Sequence, residues 1–258
     1  MLRGLYTAAS GMMTTMVQTD TLANNLANIN TTGFKKNSVN FQSFPEMLLN
    51  RVSQQGSTAI GSVMTGSKVR STYINFDQGN IVTSSRDFDF ALEGDGFFTV
   101  KDPATNETRY TRNGNFVINP DGFLTTTGGE LVQGNLGNIV IPQDTQVTLS
   151  QRGELTDKNG QIDSLTITRF KNNHLLEKHG YSQFRATSEA EKLPPPSVGE
   201  PLGYKTHQKM LEASNTNPIS ELINTITGQR LYEALQKNIQ IQNQTLGQAV
   251  QEVGRFQR

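Results

Sequence analysis

No cysteine occurs among the 258 residues, which excludes disulfides, thiolate catalysis and cysteine-based zinc sites, and suits a chain that passes between redox compartments. Tryptophan is absent as well, so the side chain best suited to stacking on a sugar ring is missing. The 3 histidines, His174, His179 and His207, have neither the two-turn helical spacing nor the zinc-finger spacing of metal ligands. A surplus of charge is also lacking: 23 Lys and Arg stand against 23 Asp and Glu. Such a balance removes the general attraction to nucleic acid or to an anionic membrane. No segment approaches the roughly 18 apolar residues of a membrane span. Met1-Leu2-Arg3-Gly4 is followed by Thr7, Ser10, Thr14 and Thr15 rather than by the apolar block of a cleavable secretory signal. The expectations are no membrane insertion, no nucleic-acid partner, no metal and no cofactor. The length allows one large or two small domains, each with its own core.

What the chain does have is helical periodicity at both ends. Leu5, Ala8, Met12, Thr15, Thr19, Leu22, Leu26 and Ile29 alternate in steps of three and four, with Ala9, Met16 and Ala23 widening the stripe. The helix is expected to stop near Asn30-Thr31-Thr32-Gly33, because glycine enters the left-handed conformation cheaply. Near the other end, Asn217-Pro218 has the chemistry of an N-cap and a first helical position. Ile219, Leu222, Ile223 and Ile226 follow as an apolar face. After Gly228-Gln229-Arg230 the phase shifts, and Tyr232, Ile239, Leu246 and Val253 recur every seven residues with Leu235, Gln242 and Ala249 between them.

The middle has a different texture. Short β-prone runs such as Phe97-Phe98-Thr99-Val100, Phe116-Val117-Ile118, Ile139-Val140-Ile141 and Leu165-Thr166-Ile167-Thr168 are punctuated by Asp95-Gly96, Asn113-Gly114, Asp121-Gly122 and Asn159-Gly160, dipeptides suited to hairpin turns. The expected fold class is therefore α+β, with long amphipathic N- and C-terminal helices packed as a coiled coil and a central all-β domain. The expected division is an N-terminal helix over 1–34, an extended arm over 35–78 with a short helical piece, its apolar residues being Phe41, Phe44 and Met47-Leu48-Leu49, and the β domain over 79–193. A linker stiffened by Pro194-Pro195-Pro196 covers 194–216, and a C-terminal helix covers 217–258.

Three patterns invite a chemical function, and each has a plainer origin. Gly61-Ser62-Val63-Met64-Thr65-Gly66-Ser67-Lys68 approaches a phosphate-binding loop, but Ser67 separates the lysine from the second glycine and no clear strand precedes it. Asp87, Asp89, Glu93 and Asp95 gather carboxylates, yet Ala91 stands where a calcium loop needs an oxygen ligand. Any two carboxylates could in principle serve a hydrolase, but nothing in the pattern selects a pair. No catalytic residue is expected.

The run Ala23-Asn24-Asn25-Leu26-Ala27-Asn28-Ile29-Asn30-Thr31-Thr32-Gly33-Phe34-Lys35 closely resembles the N-terminal signature of flagellar rod and hook proteins. Phe76-Asp77-Gln78-Gly79-Asn80, the segment from Phe88 through Gly94 to Val100, and Tyr110-Thr111-Arg112-Asn113-Gly114 resemble that family's central signature. Leu211-Glu212-Ala213-Ser214-Asn215 and Gln229-Arg230-Leu231-Tyr232-Glu233 resemble its C-terminal block. The short middle favours the rod-type members, and Phe44-Pro45-Glu46-Met47-Leu48-Leu49 with Gly61-Ser62-Val63 is similar to rod-type proteins of Bacillus-like bacteria. Lys209, where the family often has glycine, and the stretch from Gln242 to Leu246, which lacks the usual acidic residue and methionine, depart from the pattern.

The resemblance implies a non-enzymatic axial subunit of the flagellar basal body, exported uncleaved by the flagellar type III apparatus and located outside the cytoplasmic membrane. It implies self-association, and association with other rod and hook subunits, through the terminal helices. The residues expected to carry assembly are Leu5, Met12, Leu22, Asn24, Asn25, Leu26, Asn28, Ile29, Gly33 and Phe34, and, toward the C-terminus, Asn215, Gln229, Arg230, Tyr232, Leu235, Ile239 and Leu246. Asn24, Asn25, Asn28 and Asn30 occupy places where Glu and Lys are better helix formers, and uncharged amides bonding to neighbouring subunits account for them. The rival expectations are a hook or hook-cap protein and a cell-wall-binding or hydrolytic β-domain protein.

Overall fold

The computed structural model describes residues 2–44, 47–53, 56–142, 145–158, 160–180, 182–194 and 203–255. Pro195 and Pro196 of the expected linker, Pro45 and Glu46, and Asn159 lie outside the described residues. The chain is mixed α+β and forms two compact units, one comprising 1–26, 37–73 and 217–258 and the other 27–36 and 74–216.

In the first unit, helix α1 covers Leu2–Ala27, strands β1 to β4 cover Asn37–Ser43, Met47–Ser53, Gly56–Val63 and Ser67–Ile74, and helix α2 covers Pro218–Arg255. Hydroxyls of α1 are satisfied within the helix: Thr15 Oγ1 donates to the Gly11 carbonyl and Thr19 Oγ1 to that of Thr15. The Asn217 side chain accepts the N–H groups of Ile219 and Ser220, and Pro218 occupies the first turn, where a missing N–H costs nothing. α2 continues unbroken through Gly228. Strand β2 pairs antiparallel with β3, and β1 with β4. Across the arm over 35–78, with its expected short helical piece, the described elements are the strands β1 to β4.

The second unit holds strands β5 to β20: Ile81–Thr83, Phe90–Gly94, Phe97–Lys101, Thr108–Thr111, Phe116–Ile118, Leu124–Thr126, Leu131–Gly134, Gly137–Asn138, Thr148–Leu149, Glu154–Asp157, Gly160–Ser164, Ile167–Thr168, Leu176–His179, Gln183–Ala186, Tyr204–Gln208 and Met210–Glu212. The main sheet has the order β17-β18-β8-β7-β11-β10-β9, with β12 on β11 and β16 on β7. Phe98, Val100, Phe116, Leu124 and Leu155 are buried on one core, and Phe97, Tyr110, Phe170 and Phe184 form a second. The aromatic side chains of that second core meet edge to face, as ring quadrupoles favour.

Among the turn dipeptides, Asp121-Gly122 closes the β9–β10 hairpin, with Gly122 at φ 86°. Asp95-Gly96 and Asn113-Gly114 close no hairpin. β6 pairs with β19 rather than with β7, so the first carries the chain between sheets. Gly114 is required because a Cβ there would overlap the Phe90 carbonyl oxygen. The C-terminal strands β19 and β20 pair with β6 and β5, bringing residues 204–212 back onto the start of the unit.

Candidate functional site: a buried carboxylate and two helix faces

Within the second unit the chain from Asn28 to Lys36 is held by short turns. Thr31 N–H donates to Asn28 O and Phe34 N–H to Thr31 O, so the helix ends at Ala27, several residues before the expected stop. Asn28 Oδ1 also accepts the Thr31 hydroxyl at 3.2 Å, an alternative to continuing the helix. Gly33 adopts φ 67°. A Cβ on it would lie 2.3 Å from Asn113 N and 2.5 Å from the Arg112 carbonyl carbon, so this position requires glycine both for its conformation and for a close backbone approach. Its N–H donates to Glu212 O at 2.8 Å, while the neighbouring Thr32 hydroxyl donates to Asn113 Oδ1 at 2.7 Å. Phe34 is buried, with the Lys178 ammonium 3.8 Å from its ring centre. Burial pushes the Lys178 amine down to about 8.

Beside this segment lies a closed charge cluster. Lys35 Nζ donates to Glu212 Oε1 at 2.6 Å and to Asp77 O at 2.8 Å. Arg112 donates to Glu212 Oε2 at 3.2 Å, to Leu92 O at 3.3 Å and to Gly94 O at 2.6 Å. Gly79 N–H gives Glu212 Oε1 a further donor. The side chains of Lys35, Arg112 and Glu212 are 1%, 5% and 0% exposed. Burial pulls the Lys35 amine below its ordinary range although the Glu212 carboxylate pulls it back up, and the same two influences act on Arg112. One buried carboxylate therefore neutralises part of the charge of two buried cations, and the donors around it make that burial tolerable. Asn215 completes the joint: its Oδ1 accepts Lys36 N–H, and its Nδ2 donates to Asn75 O and Asp77 O.

In the first unit, α1 and α2 approach one another antiparallel. A Cβ on Gly4 would meet Gln242, one on Gly11 would lie 3.1 Å from Leu235 Cδ1, and one on Gly228 would lie 3.1 Å from Thr19 Oγ1. Ala8, Thr15 and Leu22 are buried on this side. The opposite sides carry exposed apolar residues, with the exposed Asp20 and Arg230 farther along them. On α1, Tyr6, Met13, Met16 and Val17 are 39–72% exposed, and on α2 Ile219, Leu222, Ile223 and Ile226 are 42–70% exposed.

Of the residues expected to carry assembly, Leu22, Asn25, Asn28, Gly33 and Phe34 are buried. Leu5, Met12, Leu26, Ile29, Asn215, Leu235, Ile239 and Leu246 are half-buried, and Asn24, Gln229, Arg230 and Tyr232 are exposed. Asn25 faces inward, its amide bridging Asn37 by two hydrogen bonds of 2.9 Å in place of a strand partner. The structure brings Gly33, Phe34 and Asn215 together around Glu212. It adds Lys35, Gly79, Arg112 and Glu212 itself, none of them marked by periodicity, although each stands inside one of the family signatures. The signal available was that charged residues and a glycine recur inside otherwise polar or apolar signatures.

The other chemical candidates are dispersed. The glycine-rich segment ending at Lys68 is a strand, a turn and a strand; Gly66 packs on the Ser10 hydroxyl, and Thr7 donates to Thr65 O. Asp87 pairs with Lys209, Asp89 accepts the Ser84 hydroxyl and Glu93 meets His207. No group of three or more potential ligands poised for a metal ion occurs among the described residues. Among the same residues, no helix is long and apolar enough to cross a membrane.

Family models match in three consecutive places: flagella basal body rod protein over residues 5–35, the D1 domain of the flagellar hook proteins FlgE/F/G over 91–157, and the C-terminal region of flagellar basal body rod FlgEFG proteins over 207–252. The chain is 34% identical to the flagellar basal-body rod protein FlgG of Caulobacter vibrioides, covering 95% of this chain and 97% of that protein. It is 32% identical to the FlgF rod protein of the same organism over 98% of both chains, and 30% identical to FlgG of Bacillus subtilis over 97% and 98%. The matched blocks cover most of the two helices and include Lys35, Arg112 and Glu212, and the chain belongs to the flagellar basal-body rod protein family.

Proposed function

We propose that this structural subunit of the flagellar basal-body rod joins its neighbours through the uncovered apolar faces of α1 and α2, with the buried Glu212 joint holding the start and end of the β unit together. The single observation that carries this reading is the uncovered stripe Ile219, Leu222, Ile223 and Ile226, matched by Tyr6, Met13, Met16 and Val17 on α1. No charged residue falls between Tyr6 and Val17, and the one between Ile219 and Ile226, Glu221, is buried on the other side of α2. A helical array needs two different surfaces that meet without closing a ring, and one such stripe on each helix supplies them. Covering a side chain of this size contributes about 1.5–3 kcal/mol, so a four-residue stripe is enough to decide association.

In this reading α1 and α2 pack as a coiled coil in the assembled rod, 1–34 and 217–258 act as assembly segments, and 79–193 is the β domain they carry. The residues between, 35–78 and 194–216, serve as arm and return segment. The role is mechanical, with no catalytic step, and the chain reaches its place through the flagellar export apparatus. Hook and rod membership are separated by subunit stoichiometry in purified basal bodies.

The test is Met13→Asp and Ile223→Asp, separately and together. Both positions are exposed, so the urea midpoint of the purified chain is expected to stay within about 0.5 kcal/mol of the parent. Cells carrying either variant are expected to lack rods in isolated basal bodies and to fail to swim. Normal rods with both substitutions in place would remove these faces from the assembly.

A further inference from the structure

We propose that Glu212 is a folding latch: the early part of the β unit closes only when the C-terminal strand β20 delivers this carboxylate between Lys35 and Arg112. The geometry makes the order matter. Lys35 and Arg112 converge on the same carboxylate from 177 and 100 positions away in sequence. All three side chains are nearly or fully buried. Without residue 212 the two cations would face one another with only the weaker attraction of Asp77 for Lys35 and of Asp95 for Arg112 to set against their repulsion and desolvation. Backbone carbonyls of Asp77, Leu92 and Gly94 accept hydrogen bonds from them but carry no net charge. A chain whose residues up to 202 have emerged in order, by synthesis or by passage through a channel, therefore keeps this joint open. It closes in one step when residues 203–216 arrive. This goes beyond the assembly reading and does not depend on it, because it concerns the folding of one chain.

Three hydrogen bonds report on closure without using any residue beyond 94: Phe34 N–H to Thr31 O, Asn75 N–H to Lys36 O, and Gly94 N–H to the Gln78 side chain. The experiment is pulsed hydrogen exchange during refolding of the full-length chain, read by NMR or by mass spectrometry of peptides. The expected result is that these three amides gain protection in the same phase as Leu211 and Glu212 of β20. Protection of the three in an earlier phase than β20 overturns the proposal, and this wild-type measurement decides without any variant. Glu212→Gln in the full chain should speed native-state exchange at the three amides by more than about a hundredfold. Unchanged exchange there also overturns the proposal. In Lys35→Met/Arg112→Met/Glu212→Leu, where no charge remains to wait for, the three amides should become protected before β20. Retained coupling in that variant would trace the order of folding to strand pairing instead of to the carboxylate, and so overturn the latch.

Discussion

Replacing Gly33 by alanine tests whether the N-terminal signature is held by a backbone contact that no other residue can make. Gly33 sits at φ 67°, and a left-handed conformation costs an ordinary residue about 1–2 kcal/mol. The added Cβ would also meet backbone atoms of Arg112 and Asn113 at 2.3–2.7 Å. Because those atoms belong to the chain that carries Arg112 to Glu212, they cannot swing aside as a flexible side chain would, and overpacking of this kind costs about 1–3 kcal/mol. The sum is about 2–5 kcal/mol, a large share of an ordinary domain's stability. Urea unfolding followed by circular dichroism measures it, and Gly33→Asn separates its two parts. Asparagine tolerates the left-handed region, so a purely conformational cost would leave it near the parent, whereas an overlap with backbone would still cost it about 1–3 kcal/mol. The expected outcome is a loss of about 2–5 kcal/mol for alanine and about 1–3 kcal/mol for asparagine. If both fall within about 0.5 kcal/mol of the parent, the close approach at Arg112–Asn113 is not a constraint and the reasoning fails.

The buried cluster and the surface pairs should respond differently to charge removal. Glu212→Gln is expected to cost about 3–5 kcal/mol, because it leaves Lys35 and Arg112 buried without the carboxylate they share; Glu191→Gln, whose Lys171 partner is 70% exposed, should leave the midpoint in place. A Lys178 pH effect follows from its amine being pushed from 10.5 down to about 8 in the folded chain. Between pH 8 and 10.5 the unfolded chain binds the proton that the folded chain has released, so stability rises with pH through that window and the penalty is present in full below it. Thermal melts of the parent and of Lys178→Met should therefore diverge at about pH 7 and draw together by about pH 10. A constant difference across that range would refute the assignment.

The two helices were legible because few structures besides an amphipathic helix produce a 3.5-residue repeat over this length. The line along which they approach was only half legible. Ala8, Thr15 and Leu22 belong to the expected stripe, but close approaches also occur at Gly4, Gly11 and Gly228, each next to or outside the apolar positions counted. A count of apolar residues passes over glycine, although glycine is what lets two backbones come near. Asn25 reads as outward for a similar reason: an amide looks like surface until a strand edge, here Asn37, presents a backbone donor and acceptor to it. Glu212 was not legible as a site, since its two cationic partners are brought to it only by the pairing of β20 with β5 and β19 with β6.

The distribution of polarity across the helix pair bears on the assembly proposal. The side on which α1 meets α2 includes Thr15, Thr19, Gln242 and three glycines, and Gln242 Oε1 is buried with no hydrogen-bond partner among the described residues. The sides that face away carry Tyr6, Met13, Met16, Ile219, Leu222 and Ile223. A pair selected to be stable alone would bury more of this apolar area than Ala8, Leu22 and Leu235 provide, and would leave no amide oxygen buried without a partner. The arrangement is favourable only if the outward faces are covered in the working state. A second copy of the chain, or another rod subunit with the same stripes, offers cover of the right chemistry. The cost of leaving the faces bare then becomes a driving force for adding the next subunit, and a charge placed at Ile223 should stop growth without unfolding the subunit that carries it.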